Sequence, residues 1–227
     1  MNDSARRVVV SPALEATASA AAAEIALRAR AAVADHGSFT LALSGGRSPW
    51  RMIAHLFDHD MPWAETTIYQ VDERIAPAGD PQRNLSGLLQ VLPTGCPARV
   101  VPMPVEADDL LAASQDYAGA LPATLDLIQL GLGSDGHTAS LVPGDPVLEV
   151  TDRDVALTGI YQDRRRMTLT YPRLARSGAI LWLVTGAEKQ AALASLLGHD
   201  PSIPASHVRS AEQILFCDAP ASGPSLA

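Results

Sequence analysis

Short apolar runs alternate with helical stretches along almost the whole chain. The runs are rich in valine, isoleucine and leucine, as strands buried in a parallel sheet are. They predict strands at residues 7–10, 39–43, 66–71, 99–103, 125–130, 179–184 and 213–217. Helices are predicted from an N-cap at Ser11 to near Gly37, and at 49–57, 84–91, 108–121 and 187–197. This alternation predicts an α/β fold, a mostly parallel open sheet with helices on both faces, similar to the Rossmann fold.

One segment breaks the alternation. Two β-like runs, 155–161 and 167–171, flank a polar turn at 162–165, which predicts a small β-hairpin inserted into the fold. We expect residues 1–218 to form a single α/β domain, because no linker or internal repeat interrupts them. The small and polar residues 219–227 are expected to be a frayed tail.

Composition disfavours several classes of protein. A chain of 227 residues with 47% hydrophobic residues fits one globular domain. Its net charge of −8 disfavours a nucleic-acid partner, since a phosphate backbone is bound by a basic surface. No apolar run approaches the roughly 20 residues of a membrane span. The first residues lack a continuous apolar stretch before a small-residue cleavage site, so we expect no secretory signal. Two isolated cysteines, Cys96 and Cys217, fit a reducing compartment, so we expect a cytoplasmic protein. The oligomeric state stays open, and a monomer is compatible with the sequence.

Four of the predicted strands run directly into turns of glycine or charged residues. These turns lie at residues 44–46, 72–74, 131–137 and 185–186. Polar turns occur in any α/β protein, so one of them alone would indicate little. Open parallel sheets bind ligands at the carboxyl ends of their strands. The four turns together therefore predict a crevice rich in hydrogen-bond donors at one rim of the sheet.

Two features are suited to a phosphate group. The turn Ser44-Gly45-Gly46 precedes a predicted helix, and glycines let a backbone approach a phosphate while a helix N-terminus offers free N–H groups. Lys189 follows another strand-end glycine and is the only lysine among 17 lysines and arginines. A single ammonium suggests a site for a compact charge, although a position on a surface helix explains it equally well.

The turn after strand 125–130 carries the candidate proton acceptor. Residues 131–136 match the glycine spacing of a dinucleotide-binding turn, but Pro143 and Pro146 leave no room for the helix that this motif requires. We therefore reject a nicotinamide oxidoreductase. His137 follows with Asp135 two residues earlier, a pair in which the carboxylate can fix the ring tautomer while the ring takes a proton. A histidine in a loop is more often solvated, and only its place at a strand end makes His137 a candidate.

Five motifs in order resemble the 6-phosphogluconolactonase family, within a superfamily that includes glucosamine-6-phosphate isomerases and deaminases. They are Ser44-Gly45-Gly46-Arg47-Ser48-Pro49, Asp72-Glu73-Arg74, the run from Gly131 to Leu141, Arg166-Met167-Thr168-Leu169-Thr170 and Gly186-x-x-Lys189. The resemblance covers roughly residues 10–218. Two positions depart from the family pattern, with Val142 where phenylalanine is usual and Arg83 where serine is common.

The resemblance implies hydrolysis of 6-phospho-D-glucono-1,5-lactone to 6-phosphogluconate, a step of the oxidative pentose phosphate pathway, without a metal or organic cofactor. His137 would activate the attacking water, with Asp135 orienting it. Arg74 would stabilise the developing oxyanion, and Asp72 would position Arg74 or a sugar hydroxyl. The implied phosphate-binding residues are Ser44, Gly45, Gly46, Arg166 and Lys189.

Two other functions stay open at this point. A sugar-phosphate isomerase or deaminase of the same superfamily would carry Asn-Glu-Pro shortly after the histidine, with a working glutamate, where this chain has Ser140-Leu141-Val142-Pro143. A non-catalytic regulator that binds a sugar phosphate would not need His137 and Arg74. In each case the expected partner is a small phosphorylated sugar, with no nucleic acid and no membrane.

Overall fold

The computed structural model describes residues 6–223, which contain ten strands and seven α-helices. The strands are β1 (Arg7–Ser11), β2 (Phe39–Leu43), β3 (Thr66–Gln70), β4 (Asp72–Arg74), β5 (Arg99–Val101), β6 (Leu125–Leu130), β7 (Val155–Leu157), β8 (Arg166–Leu169), β9 (Ser177–Val184) and β10 (Gln213–Asp218). The helices are α1 (Leu14–His36), α2 (Arg47–Leu56), α3 (Asn84–Val91), α4 (Leu110–Ala120), α5 (Tyr171–Leu174), α6 (Gln190–Leu197) and α7 (Ala219–Ser222).

Seven strands form one sheet in the order β1-β10-β9-β6-β2-β3-β5, and every neighbouring pair is parallel. Successive side chains of a strand point to opposite faces, so a sheet covered on both sides needs apolar residues at every position. In β9, Leu181 packs in the core beneath α1 and α2, whereas Trp182 packs in the core shared with α4 and α6. The prediction of a mostly parallel sheet with helices on both faces is confirmed.

The strand order reverses beside β2. From β2 the chain moves outward through β3 to β5, then returns to place β6 on the opposite side of β2. Ligands of open α/β sheets bind at such a reversal, where the turns diverge to the two faces. The four strands whose ends the sequence singles out, β9, β6, β2 and β3, are adjacent at this point of the sheet.

The predicted hairpin exists and belongs to a larger unit. Strands β7 and β8 pair antiparallel, and β4 adds to the other side of β8. Because β4 follows β3 after one residue, this small sheet lies close to the carboxyl ends of the main strands. Its register places Arg74 directly opposite Arg166 and Asp72 opposite Thr168.

Two local predictions are wrong. Ser11 does not cap α1; it stays in β1 opposite Asp218 of β10, and the helix begins at Leu14 after Ala13. The segment after residue 218 is not frayed throughout, because Ala219–Ser222 forms α7. Asp218 accepts a hydrogen bond from the Ala221 N–H (2.9 Å), and Ala221 is fully buried. Residues 224–227 lie outside the described part of the chain.

The glycine-rich turn after β6 leads into no α-helix. Residues 137–145 contain only turns and an isolated bridge, and a 3-10 turn follows at Pro146–Glu149. The rejection of a dinucleotide-binding unit is therefore consistent with the structure, since that motif needs a helix N-terminus directly after the last glycine.

Candidate active site

A polar cavity of about 190 Å³ opens at the carboxyl ends of the central strands. Seven of the nine residues proposed from the sequence line it: Ser44, Gly45, Asp72, Arg74, His137, Arg166 and Lys189. The other two are adjacent, since Gly46 borders the neighbouring cavities and Asp135 is hydrogen-bonded to His137. Asn84 and the backbone of residues 131–133 complete the wall.

His137 and Asp135 form a close pair on the turn after β6. Nδ1 of the ring lies 2.6 Å from Oδ1 of Asp135. A carboxylate only accepts, so this contact assigns the ring proton to Nδ1 and leaves Nε2 as an acceptor. Nε2 has no hydrogen-bond partner among residues 6–223. Burial works against ionisation of Asp135, but His137 and the hydrogen bonds from His137 and Tyr161 outweigh it and lower the pKa of Asp135.

Gly133 makes room for this pair. A β-carbon at Gly133 would lie 2.1 Å from Nδ1 of His137 and 2.5 Å from Oδ1 of Asp135. The backbone closes the turn, with the Gly133 N–H donating to the His137 carbonyl at 2.8 Å. Any side chain at this position would therefore collide with both the ring and the carboxylate, and glycine leaves room for them.

Arg74 is held from one side by Asn84. Its Nη1 donates to Oδ1 of Asn84 (2.5 Å) and to the Gln82 carbonyl (2.9 Å). Asn84 in turn donates from Nδ2 to Oδ1 of Asp72 (3.1 Å). Among the described residues Asp72 makes no hydrogen bond or ion pair with Arg74, and the two side chains are linked only through Asn84. Its other oxygen accepts from Ser140 Oγ at 2.6 Å.

Glu73, between Asp72 and Arg74 in β4, is fully buried on the side away from the cavity. Its carboxylate accepts from the N–H groups of Arg74, Asn84 and Leu85 at 2.7–2.8 Å. It thereby satisfies the first donors of α3, which has no side-chain cap of its own. No sequence pattern gives Glu73 a role, although the alternation of side chains along a strand places it on the face opposite Asp72 and Arg74.

The Ser-Gly-Gly turn offers fewer free N–H groups to a phosphate than the sequence indicates. The Ser44 N–H donates to Gln129 Oε1 (3.2 Å), and its hydroxyl donates to the Gln129 carbonyl (3.1 Å). The N–H of Ser44 is therefore engaged within the protein, contrary to the expectation that it contacts phosphate. Gly46, with φ 132°, begins α2 without a side-chain cap. Free N–H groups at that helix start remain suited to an anion.

Three cations border the cavity, with Asp72 as the only carboxylate among its lining residues. Lys189 lies in the 3-10 turn Ala187–Lys189, where its backbone N–H donates to the Gly186 carbonyl (3.0 Å), and its ammonium makes no hydrogen bond or ion pair within the described chain. Arg166 is 4% exposed, donates to Gln162 Oε1 (3.0 Å) and has a buried Nε without a partner. Burial lowers the pKa of Arg166, with Asp72 opposing the shift. The cavity is locally positive although the chain is acidic, which suits a small anion.

We expect Gly45→Ala to destabilise the fold by about 1–3 kcal/mol, since a β-carbon there would lie 1.9 Å from Asn84 Oδ1. Asn84 is buried and hydrogen-bonded on both ends, so it cannot move away without losing those contacts. Urea unfolding measures the change. Gly119→Ala in α4 is the matched control, because nothing lies near its β-carbon, and it should stabilise by about 0.5–1 kcal/mol. Equal stability of the Gly45→Ala and wild-type proteins would contradict this reading.

The fold and this site together define a member of a known enzyme family. The family model described as glucosamine-6-phosphate isomerases/6-phosphogluconolactonase matches residues 12–216, and the chain belongs to that family.

Several relatives of this chain are named as 6-phosphogluconolactonases. The chain is 37% identical over 189 residues to the 6-phosphogluconolactonase of a Synechocystis species, covering 76% of this chain and 77% of that protein. It is 38% identical over 188 residues to the GDH/6PGL endoplasmic bifunctional protein of Homo sapiens, covering 75% of this chain but only 24% of that longer protein. The solved structure of a 6-phosphogluconolactonase from Shewanella baltica shares the fold, with a TM-score of 0.86 at 22% identity over 95% of this chain and 98% of the other.

Residues 6–223 contain neither a membrane-spanning helix nor a cluster of metal ligands. No helix there is both long enough and apolar enough to cross a membrane. In the same part of the chain, no three histidine, cysteine, aspartate or glutamate side chains come together in a way that would hold a metal ion.

Proposed function

We propose that this chain hydrolyses 6-phospho-D-glucono-1,5-lactone to 6-phosphogluconate. The observation that carries the proposal is the His137–Asp135 pair. His137 lines the same cavity as Arg74, Arg166 and Lys189, and its Nε2 has no hydrogen-bond partner among the described residues. A lactone is already an activated ester, so its hydrolysis needs a base, a stabilised oxyanion and a binding site for the phosphate. Family membership and the lactonase relatives support the same reaction.

The proposed chemistry begins at Nε2 of His137. Nε2 takes a proton from water while the water oxygen bonds to C1 of the lactone, and the carbonyl oxygen becomes an oxyanion beside Arg74. Asp135, hydrogen-bonded to Nδ1, balances the positive charge that the ring acquires. The C1–O5 bond then breaks, and O5 receives the proton from Nε2. The product acid loses a proton to solvent and leaves as 6-phosphogluconate.

A second group of residues along the same cavity is suited to bind the phosphate. Arg166 and Lys189 supply charge, and the N–H groups of Gly45 and Gly46 at the start of α2 supply further donors. Ser44 contributes through the shape of its turn, since its own N–H donates to Gln129. Asp72 faces the cavity between Asn84 and Ser140 and is suited to accept a bond from a sugar hydroxyl.

The isomerase or deaminase reaction is less well supported by this site. That chemistry moves protons between neighbouring carbons and benefits from a second carboxylate near the histidine. The loop after His137 offers Ser140 and Leu141, both fully buried, and Asp72 is the only carboxylate that lines the cavity. We also propose a cytoplasmic location, which the two free cysteines, Cys96 and Cys217, support.

A direct assay tests the function. Purified protein is added to freshly made phospholactone, and lactone opening is followed by NMR with the spontaneous rate subtracted. We expect clear acceleration, unchanged by EDTA and dialysis, and no ammonia release from glucosamine 6-phosphate. Ammonia release would instead support the deaminase, and activity restored by added zinc or magnesium would reveal a metal site. No acceleration of lactone opening would contradict the proposal.

A further inference from the structure

Tyr161, at the tip of the β7–β8 hairpin, contacts the His137–Asp135 pair and also Arg166. Its hydroxyl donates to Oδ2 of Asp135 at 3.0 Å, the oxygen that His137 does not use. The edge of one ring meets the other, with 5.4 Å between the Tyr161 and His137 centroids. The guanidinium carbon of Arg166 lies 4.9 Å from the Tyr161 ring centroid.

The hairpin tip adopts an unfavourable backbone to hold this arrangement. Gln162 and Asp163 have φ values of 49° and 64°, the left-handed region that normally favours glycine or asparagine. Tyr161 and Arg164 pair across this tight turn. Strained backbone of this kind persists where surrounding contacts require it, often at functional sites. Here the turn also directs Gln162 Oε1 to Arg166.

We propose that Tyr161 is a positioning residue for lactone hydrolysis, which connects the phosphate-binding Arg166 to the His137–Asp135 pair. The inference rests on the function proposed above. The hydroxyl fixes the rotation of the Asp135 carboxylate and so the direction in which Nε2 of His137 points. The ring supports the guanidinium of Arg166 through a cation–π contact.

The hydroxyl also moderates the charge of Asp135. Burial and the neighbouring carboxylate raise the pKa of Tyr161, so it remains a donor at neutral pH. Its hydrogen bond disperses part of the negative charge that would otherwise favour protonated His137. Removing the hydroxyl therefore favours the charged ring, and protonation of His137 should begin at higher pH. The other charged or titratable groups around the same cavity are Asp72, Arg74, Arg166 and Lys189.

Two substitutions separate these roles. Tyr161→Phe removes only the hydroxyl, and we expect kcat for the phospholactone to fall about two- to tenfold with KM unchanged. Its acid limb in the pH–rate profile should move to higher pH. Tyr161→Leu also removes the ring, so KM should rise about two- to fivefold in addition. Tyr171→Phe is the control, because that hydroxyl donates to the Pro204 carbonyl (2.8 Å) away from the cavity. It should leave kcat, KM and the pH profile unchanged.

A second measurement does not depend on turnover. The ring protons of His137, assigned by comparison with His137→Asn, are titrated by NMR in the wild-type and Tyr161→Phe proteins. We expect a higher midpoint in the variant. Unchanged titration and unchanged kcat in Tyr161→Phe would overturn the inference, even if the wild type opens the lactone. A wild type without lactonase activity would instead overturn the proposed function, and the titration would still decide the role of Tyr161.

Discussion

His137→Asn is expected to lower kcat for the phospholactone by about 10²–10⁴-fold, the usual loss when a general base is removed. Asparagine can occupy the space of the ring and keep a hydrogen bond to Asp135, but it cannot take a proton from water. The loss should fall on kcat, because the proposed phosphate-binding residues stay in place. Steady-state kinetics corrected for spontaneous hydrolysis measure it.

Two comparisons show whether the loss is chemical. Affinity for 6-phosphogluconate, measured by calorimetry, should stay within a few fold of the wild type. Asp135→Asn should lose less activity than His137→Asn, since it disturbs the orientation and charge balance of the ring but leaves the base present. Near-normal kcat in His137→Asn would mean that another group takes the proton, and His137 would be only a loop residue.

Removing either cation of the proposed phosphate site should weaken substrate binding by about ten- to a hundredfold. Arg166→Ala and Lys189→Ala each delete one charge-assisted contact, a class of hydrogen bond worth about 1.5–3 kcal/mol. The effect should appear in KM for the phosphorylated lactone. Glucono-1,5-lactone without the phosphate should be a poor substrate and should respond little to either change.

A surface arginine provides the matched control. Arg153 pairs with its neighbour Asp152, and its side chain is 56% exposed away from the cavity. Arg153→Ala should therefore leave KM unchanged. Equal use of both lactones by the wild type would contradict the assignment of a phosphate site, whatever the variants do.

The sequence predicted the elements whose signal is local. Strand β6 and helix α3 have the predicted bounds, because a run of apolar residues and a short amphipathic stretch mark them clearly. Strand β4 was not predicted, since three polar residues carry no periodicity and the strand exists only by pairing with β8. The N-cap at Ser11 was wrong for a related reason, because pairing with distant β10 holds that residue in a strand.

In the candidate site, too, local features could be predicted from the sequence and long-range contacts could not. The turns after β2, β3, β6 and β9 could be identified from the chain, since glycine and charge at strand ends are visible in sequence. The contacts of Gln129 with Ser44 and of Ser140 with Asp72 could not be predicted, because they join residues 85 and 68 positions apart. From the sequence, Tyr161 is only the end of a predicted strand, because its partner Asp135 lies 26 positions away along the chain and the contact exists only in the folded structure.

The register of the small sheet has a consequence for stability. Arg74 and Arg166 are cross-strand neighbours, and like charges at such positions repel each other. Arg74 accordingly contributes to lowering the pKa of Arg166, after burial. A phosphorylated ligand in the cavity would bring the phosphate close to Arg166 and the carbonyl oxygen close to Arg74, and would relieve this repulsion. The cavity exists only in the folded chain, so the ligand would bind the folded chain and not the unfolded one. The free energy of unfolding would therefore rise with the concentration of this ligand, and the protein would be more stable when its substrate or product is abundant.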